Sequence, residues 1–310
     1  MRLKKLNCNV ITFIVGPTAI GKTRLSVKLA RRIDGEIVSC DSMQIYRGVN
    51  VLSQAPTVQD LKMAKHHLVG TLDPCSEYGV AFFRDKATSI INSIIKRKKR
   101  PIVVGGSGLY IKALVDGLFP SPPADLKFRK RMENFISAYG SKKLYRRLLK
   151  IDPEAAAKIH PNDKRRIIRA LELFKTTGNT MTELKCRTKG LKNCYRIKIF
   201  GLTRPRDEIY VNIDSRVDWM FKYGAIDEVK RLVRKNLSKT TRAILGYKEI
   251  NGYLNDRYDL NTAKALMKKN TRHFAKRQLA WFRLDGRIKW FDVSKFSEEI
   301  IVNKIIKEIA

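Results

Sequence analysis

The sequence predicts an α/β fold: a parallel sheet flanked by helices, with a helical insertion domain. Three observations lead there. Short apolar runs alternate with stretches of helical spacing, the pattern of a doubly wound sheet. Glycine-rich turns close two of those runs. A proline break at Phe119-Pro120-Ser121-Pro122-Pro123 then opens a long, basic, helical region.

The elements follow in order. Residues 10–15 (VITFIV) form an apolar first strand, and Thr23 to Ile33 has helical spacing ended by Gly35. Glu36 to Cys40 is a second strand, closed by Asp41. A helix is expected over Gly79 to Lys99, then a third strand, Pro101 to Val104, running into Gly105-Gly106-Ser107-Gly108. The run Lys96-Arg97-Lys98-Lys99-Arg100 reads as a solvated helix end. Tyr195 to Leu202 alternates like a strand returning to the sheet, and Ile288 to Val293 is a terminal strand candidate. The expected organisation is a core over 1–120, an insertion over 121–195, and core completion with C-terminal helices over 196–310.

Bulk properties narrow the class. The chain has 310 residues, enough for one large or two modest domains, and 44% are hydrophobic, which supports a real core. The formal net charge is +35, with 64 Lys plus Arg against 29 acids. Such a surface attracts polyanions and repels its own copies. General drift toward lysine would also raise the charge, and the two causes are compatible. The five cysteines, Cys8, Cys40, Cys75, Cys186 and Cys194, form no Cys-x-x-Cys, and there are four histidines. That pattern suits reduced thiols and no zinc site. The start, MRLKKLNCNVITFIVG, imitates a signal peptide but flows straight into a glycine loop, so it reads as strand one. No stretch approaches the ~18 apolar residues of a membrane span. The expectation is a cytoplasmic, monomeric protein with no membrane association.

The glycine loop itself, Gly16-Pro17-Thr18-Ala19-Ile20-Gly21-Lys22-Thr23, matches Gly-x-x-x-x-Gly-Lys-Thr between a strand and a helix. This is a P-loop, and it makes the sheet P-loop NTPase-like. Backbone amides and the helix N-terminus bind phosphate oxygens, Lys22 adds a point charge, and Thr23 is placed to ligate Mg²⁺. NTPases also place a Mg²⁺-holding Asp at another strand end. The strand PIVVGG ends in glycines instead, and the strand-terminal acid is Asp41 in SCDSMQIYRG. On residues alone, Asp41 fits a metal carboxylate, a general base or a turn cap. Ser107 fits a hydrogen-bond donor to a ligand oxygen or a turn former. Ligands of open parallel sheets bind at the carboxyl ends of strands, so the P-loop, Asp41 and Ser107 should share one cleft.

Five segments occur in register: GPTAIGKT, DSMQIYRG, RPIVVGGSGLYIKAL, IHPNDKRRIIRALE and AKRQLAWFR. Together they make the chain resemble the tRNA dimethylallyltransferases (tRNA isopentenyltransferases) of bacterial type over essentially its whole length. The resemblance implies that the P-loop holds the pyrophosphate of dimethylallyl diphosphate, and that chemistry occurs at carbon rather than phosphorus. It implies transfer of the dimethylallyl group to N6 of the adenosine 3′ of the anticodon (A37), with Asp41 as general base, Ser107 as a hydroxyl partner and Mg²⁺ as cofactor. Arg216 is implied as a further diphosphate clamp, a surface arginine being the alternative. Implied tRNA contacts are Asp41, Ser42, Met43 and Gln44 with Ser107; Arg129; Arg165, Arg166, Ile167, Ile168 and Arg169; Arg242, Gly246, Tyr247 and Lys248; and Lys276, Arg277 and Gln278. A solvated helix face is the alternative for Arg165 and Arg169, and a core position for Trp281. The partner implied is the anticodon stem-loop.

One departure stands out. Where the family carries Gly-Thr-Ala-Lys-Pro, this chain has Leu52-Ser53-Gln54-Ala55-Pro56, so a lysine is missing. A nucleoside or small-molecule kinase, an adenylate-type isopentenyltransferase and a non-enzymatic RNA-binding protein are the rival classes. The first lacks its second metal acid. The second has no need of a basic insertion. The third leaves Lys22, Thr23, Asp41 and Ser107 without a purpose.

Overall fold

A computed structural model of the chain describes residues 10–119 and 122–310. The basic N-terminal stretch with Cys8, and Pro120 and Ser121 of the proline break, lie outside the described residues.

In chain order, β1 (Val10–Val15) leads through the glycine loop to α1 (Lys22–Ile33) and β2 (Gly35–Ser39). A short α2 (Val58–Met63) and a two-residue β3 (His66–His67) precede α3 (Val80–Lys96), β4 (Arg100–Gly105) and α4 (Gly108–Val115). Helices α5 (Leu126–Tyr139), α6 (Ser141–Ile151), α7 (Pro153–Ala157), α8 (Lys164–Thr177) and α9 (Met181–Cys186) come next. Then follow β5 (Arg196–Thr203), α10 (Arg206–Lys222), α11 (Ala225–Val233), α12 (Lys239–Arg242), α13 (Tyr247–Leu254), α14 (Leu260–Arg283), β6 (Ile288–Asp292) and α15 (Glu298–Ile309).

The first compact unit joins the described residues up to Val115 with Leu191–Ala310. Its sheet has the order β3-β2-β4-β1-β5-β6, and every pairing is parallel. Central strands β1 and β4 are buried at every residue, as expected of a sheet covered on both faces. Alternate side chains serve opposite cores. Ile11, Phe13 and Val15 pack with Phe83, Ile91 and Leu114. Val10 and Ile14 pack with Leu25, Leu29 and Ile305. Full burial of each such side chain is worth about 1.5–3 kcal/mol. Because all strands run one way, the turns after β2, β4 and β1 open side by side on one edge.

Two local readings change. The run Lys96–Arg100 is more than a solvated end: Arg97 pairs with buried Glu36 at 2.6 Å, Lys99 with Asp34 at 3.1 Å, and Arg100 is buried on β4. Asp41 is also not the one acid at a strand end, since Asp292 closes β6. Its carboxylate caps the following turn, accepting from Ser294 N at 2.9 Å and Ser294 Oγ at 2.6 Å.

The second compact unit is Asp116–Gly190, set five residues earlier at each end than the expected 121–195. It is wholly helical. Phe128, Leu144, Leu148, Ile167 and Leu171 form its core. Buried Asp152 ties α7 to α9, accepting from Ala155 N at 3.0 Å and Thr182 Oγ1 at 2.6 Å. Among the described residues, no helix is long and apolar enough to cross a membrane.

Candidate active site

The phosphate loop is held in place from two later helices. Ala19 has φ 63°, a left-handed conformation that costs a non-glycine residue about 1–2 kcal/mol. Its neighbours over-determine it. Thr18 N donates to Gln278 Oε1 of α14 at 2.9 Å. Asn212 Nδ2 of α10 donates to Ala19 O at 3.4 Å. Arg216 Nη1, one helical turn further on, donates to Thr18 Oγ1 at 3.3 Å. Lys22 Nζ arches back over the loop to Gly16 O at 3.1 Å and Pro17 O at 2.6 Å. No side chain caps α1 and no acid lies in its first turn. The amides of that turn are therefore free for an anion. Ala19 and Ile20 are buried and contribute backbone only.

Asp41, after β2, is half-buried. Its Oδ1 accepts from Met43 N at 2.8 Å. Burial pushes its carboxyl above the ordinary value; the Met43 amide, the Lys22 charge and the Gln44 amide oppose that shift. Burial pushes the Lys22 ammonium down to about 8, with Asp41 opposing and Arg216 adding to the fall. The Arg216 guanidinium is lowered by burial too. The site thus has a cationic half on the loop after β1 and a carboxylate half at the end of β2, two strands away.

Ser107 sits between these halves, because β4 lies between β2 and β1. Its carbonyl starts α4, accepting from Tyr110 N at 2.9 Å. Among the described residues, its half-buried hydroxyl has no hydrogen-bond partner. The preceding Gly106 is required by close approach: a Cβ there would lie 2.2 Å from Gln278 Nε2.

The expected tRNA contacts divide. Ser42 and Met43 are half-buried beside Asp41, with Met43 packed against the core. Gln44 turns inward instead. Its Oε1 accepts from Ser39 Oγ at 2.8 Å and its Nε2 donates to Gln54 O at 2.9 Å. Gln278 is buried between the phosphate loop and Gly106 O, to which its Nε2 donates at 3.0 Å. It is therefore part of the frame and not an exposed RNA contact. Gly246 is buried with φ 91°, and a Cβ would lie 2.6 Å from Met267; its role is to start α13. Tyr247 packs against the core. Arg242, Lys248, Lys276 and Arg277 are exposed, and Trp281, 38% exposed, rests against Gly108.

In the helical unit, Ile167 and Ile168 are core residues and cannot meet RNA. Arg129 clasps fully buried Glu172 with two bonds, 2.9 and 2.8 Å. Arg169 bonds the same carboxylate. These two arginines are turned onto Glu172 and do not form the open cationic grip expected of them. Burial raises the Glu172 carboxyl, but hydrogen bonds from Arg129 and Arg169 hold it below its ordinary value overall. Arg165 and Arg166 are exposed, and Arg166 pairs with Asp163 at 3.3 Å.

Sequence reasoning missed Asn212 and Glu228. Asn212 lies four residues before Arg216, so one face of α10 serves the loop; that spacing was readable. Glu228 was not. It is buried and accepts from Asn50 N (2.7 Å), Val51 N (2.9 Å) and Leu52 N (2.9 Å), fixing the departing segment Leu52–Pro56 under Gln44.

Among the described residues, no group of three or more His, Cys, Asp or Glu could hold a metal ion. The donor set on the loop is the Thr23 hydroxyl. It suits a Mg²⁺ that takes most of its ligands from a bound diphosphate and water.

The geometry defines a class first: a P-loop α/β protein that pairs an anion cradle with a half-buried carboxylate. A family profile described as IPP transferase matches residues 44–285. Curated proteins named tRNA dimethylallyltransferase from Halothermothrix orenii and Carboxydothermus hydrogenoformans are 44% and 45% identical. The first match covers 96% of this chain and 92% of that protein, the second 96% of each. The crystal structure of the full-length tRNA isopentenylpyrophosphate transferase from Bacillus halodurans superposes with TM-score 0.72 at 39% identity, covering 97% of this chain and 95% of that one. A eukaryotic dimethylallyltransferase captured acting on tRNA superposes with TM-score 0.77 at 26% identity, covering 97% and 80%. The chain belongs to the IPP transferase family and is a prenyltransferase of the tRNA dimethylallyltransferase type.

Proposed function

We propose that the donor is dimethylallyl diphosphate and the acceptor N6 of the adenosine 3′ of the tRNA anticodon (A37), giving N6-(dimethylallyl)adenosine and diphosphate. The observation that carries this reading is the division of the site. Lys22, Arg216 and the α1 amides gather at the phosphate loop after β1, and Asp41, with its carboxyl pK raised by burial, lies at the end of β2, two strands away.

The allylic C1–O bond breaks and its electron pair leaves with the diphosphate. The N6 lone pair forms the new N–C1 bond, and N6 loses a proton to Asp41. Loop amides, Lys22 and Arg216 stabilise the growing negative charge, a preorganised electrostatic effect. Adenine N6 is a poor nucleophile until its proton has an acceptor, which is what a positioned carboxylate supplies. The Ser107 hydroxyl, between the two halves, orients the acceptor base. The Thr23 hydroxyl would hold a Mg²⁺, which would supply further neutralisation of the diphosphate charge.

The acceptor base leaves its stack to react, at a cost of a few kcal/mol. Contacts from exposed Arg165, Arg166, Arg242, Lys248, Lys276 and Arg277 to the phosphates offset that cost. The reading includes a monomer working in the cytoplasm.

The test is direct. The protein is incubated with labelled dimethylallyl diphosphate, Mg²⁺ and unmodified tRNA. Label in the RNA with release of diphosphate is expected. Consumption of a nucleoside triphosphate during turnover would overturn the reading.

A further inference from the structure

Gln278 offers one side-chain amide to two loops 88 residues apart: Oε1 takes the Thr18 N–H at 2.9 Å, and Nε2 gives to Gly106 O at 3.0 Å. The side chain is 8% exposed, so water does not readily replace either bond. Both loops carry reacting-site groups. Thr18 precedes Ala19, whose left-handed backbone sets the direction of the following amides. Gly106 precedes Ser107. Gly106 cannot gain even a methyl group without meeting this amide, at 2.2 Å. The helix that presents Gln278 also presents Lys276 and Arg277 to solvent, two and one residues earlier.

We infer that Gln278 is a positioning residue that sets the distance and orientation between the diphosphate cradle and Ser107. The inference rests on the proposed placement of the diphosphate in the P-loop. A primary amide does this neutrally at any pH in the working range. It needs an acceptor on one side and a donor on the other, within one planar group. A carboxylate would satisfy Thr18 but face the Gly106 carbonyl with a lone pair. Leucine would leave both loop groups unpaired.

The experiment uses the full chain with tRNA and measures steady-state transfer, inhibition by inorganic diphosphate, and stem-loop affinity separately. For Gln278→Leu, kcat is expected to fall and the KM for dimethylallyl diphosphate to rise, each about tenfold or more, with stem-loop affinity within about twofold. Gln278→Glu gives the sharper signature. Its protonated form restores both bonds, so its activity relative to the unmodified chain at the same pH should rise as pH falls. Gly106→Ala pushes on the bridge from its other end and should reproduce the kinetic pattern of Gln278→Leu. A loss of stem-loop affinity with unchanged diphosphate inhibition would make Gln278 an RNA contact and overturn the inference. So would a flat pH ratio for Gln278→Glu. Failure of the underlying reading looks different: Lys22→Ala would then leave diphosphate inhibition of the Gln278-intact chain unchanged.

Discussion

Arg216 on α10 and Arg169 on α8 are both half-buried arginines singled out by their sequence context, and they do opposite things. Arg169, with Arg129, closes on a fully buried glutamate that compensates charge within the helical unit. Among the described residues, Arg216 has no carboxylate within ion-pair distance, and its guanidinium donates to the Thr18 hydroxyl of the phosphate loop. On the proposed reading its charge serves the ligand diphosphate. An arginine's function is set by what else is buried beside it. An uncompensated cation in a partly buried site is costly, and it persists where a ligand supplies the missing anion.

The largest effect is expected at Asp41, the proposed base. Asp41→Ala is expected to lower transfer by about 10²–10⁴-fold, with stem-loop binding nearly unchanged in a filter or mobility assay. A fully active variant would remove Asp41 from the role of base.

Next comes the compensated arginine pair. Glu172→Ala leaves two guanidinium groups over an empty buried position and should destabilise the helical unit by about 3–5 kcal/mol. Limited proteolysis should cut within 116–190 before the rest of the chain. The pH dependence has a definite sign. Glu172 is depressed in the folded state, so its contribution is present above the ordinary carboxylate range and lost as pH falls toward the folded value. If Glu172→Ala instead kept its stability, the clasp would be incidental.

Arg216→Ala should cost about 2.7–4 kcal/mol of transition-state stabilisation, the size of one lost oxyanion donor, with no change in melting temperature beyond a degree or two. A stability loss without a kinetic one would place Arg216 with Arg169 after all.

A gentler probe is pH. Lys22 is held to about 8, so kcat/KM for dimethylallyl diphosphate should fall as pH rises through about 8, because only the charged form attracts the diphosphate. Bound diphosphate raises the Lys22 pKa again, so kcat should not follow. At the acid limb, protonation of Asp41 should lower both, above the pH expected of an ordinary aspartate.

The smallest effect belongs to Arg165, exposed beside the clasp. Arg165→Ala should leave stability unchanged and reduce the salt slope of RNA binding by about 1. An unchanged slope would make it a solvated face.

Much of the molecule was legible in the linear sequence because the signals were local. Period and length marked β1, β2, β4, β5 and β6. GPTAIGKT fixed the loop, since a glycine-lysine cradle between strand and helix is determined by neighbours in the chain. The alternation of strands and helices implied a parallel sheet, and parallel strands put their carboxyl ends on one edge. That is why Asp41, Ser107 and the loop could be expected together.

What the folded structure alone decided is partnership over long sequence distances. Nothing local says that Gln278 faces Thr18, that Glu228 takes three amides of residues 50–52, or that Arg129 and Arg169 turn onto Glu172. A side chain's periodicity gives the face it occupies. Whether that face meets a carboxylate, a backbone amide or water depends on which elements pack against it, and packing couples residues that chain order keeps apart.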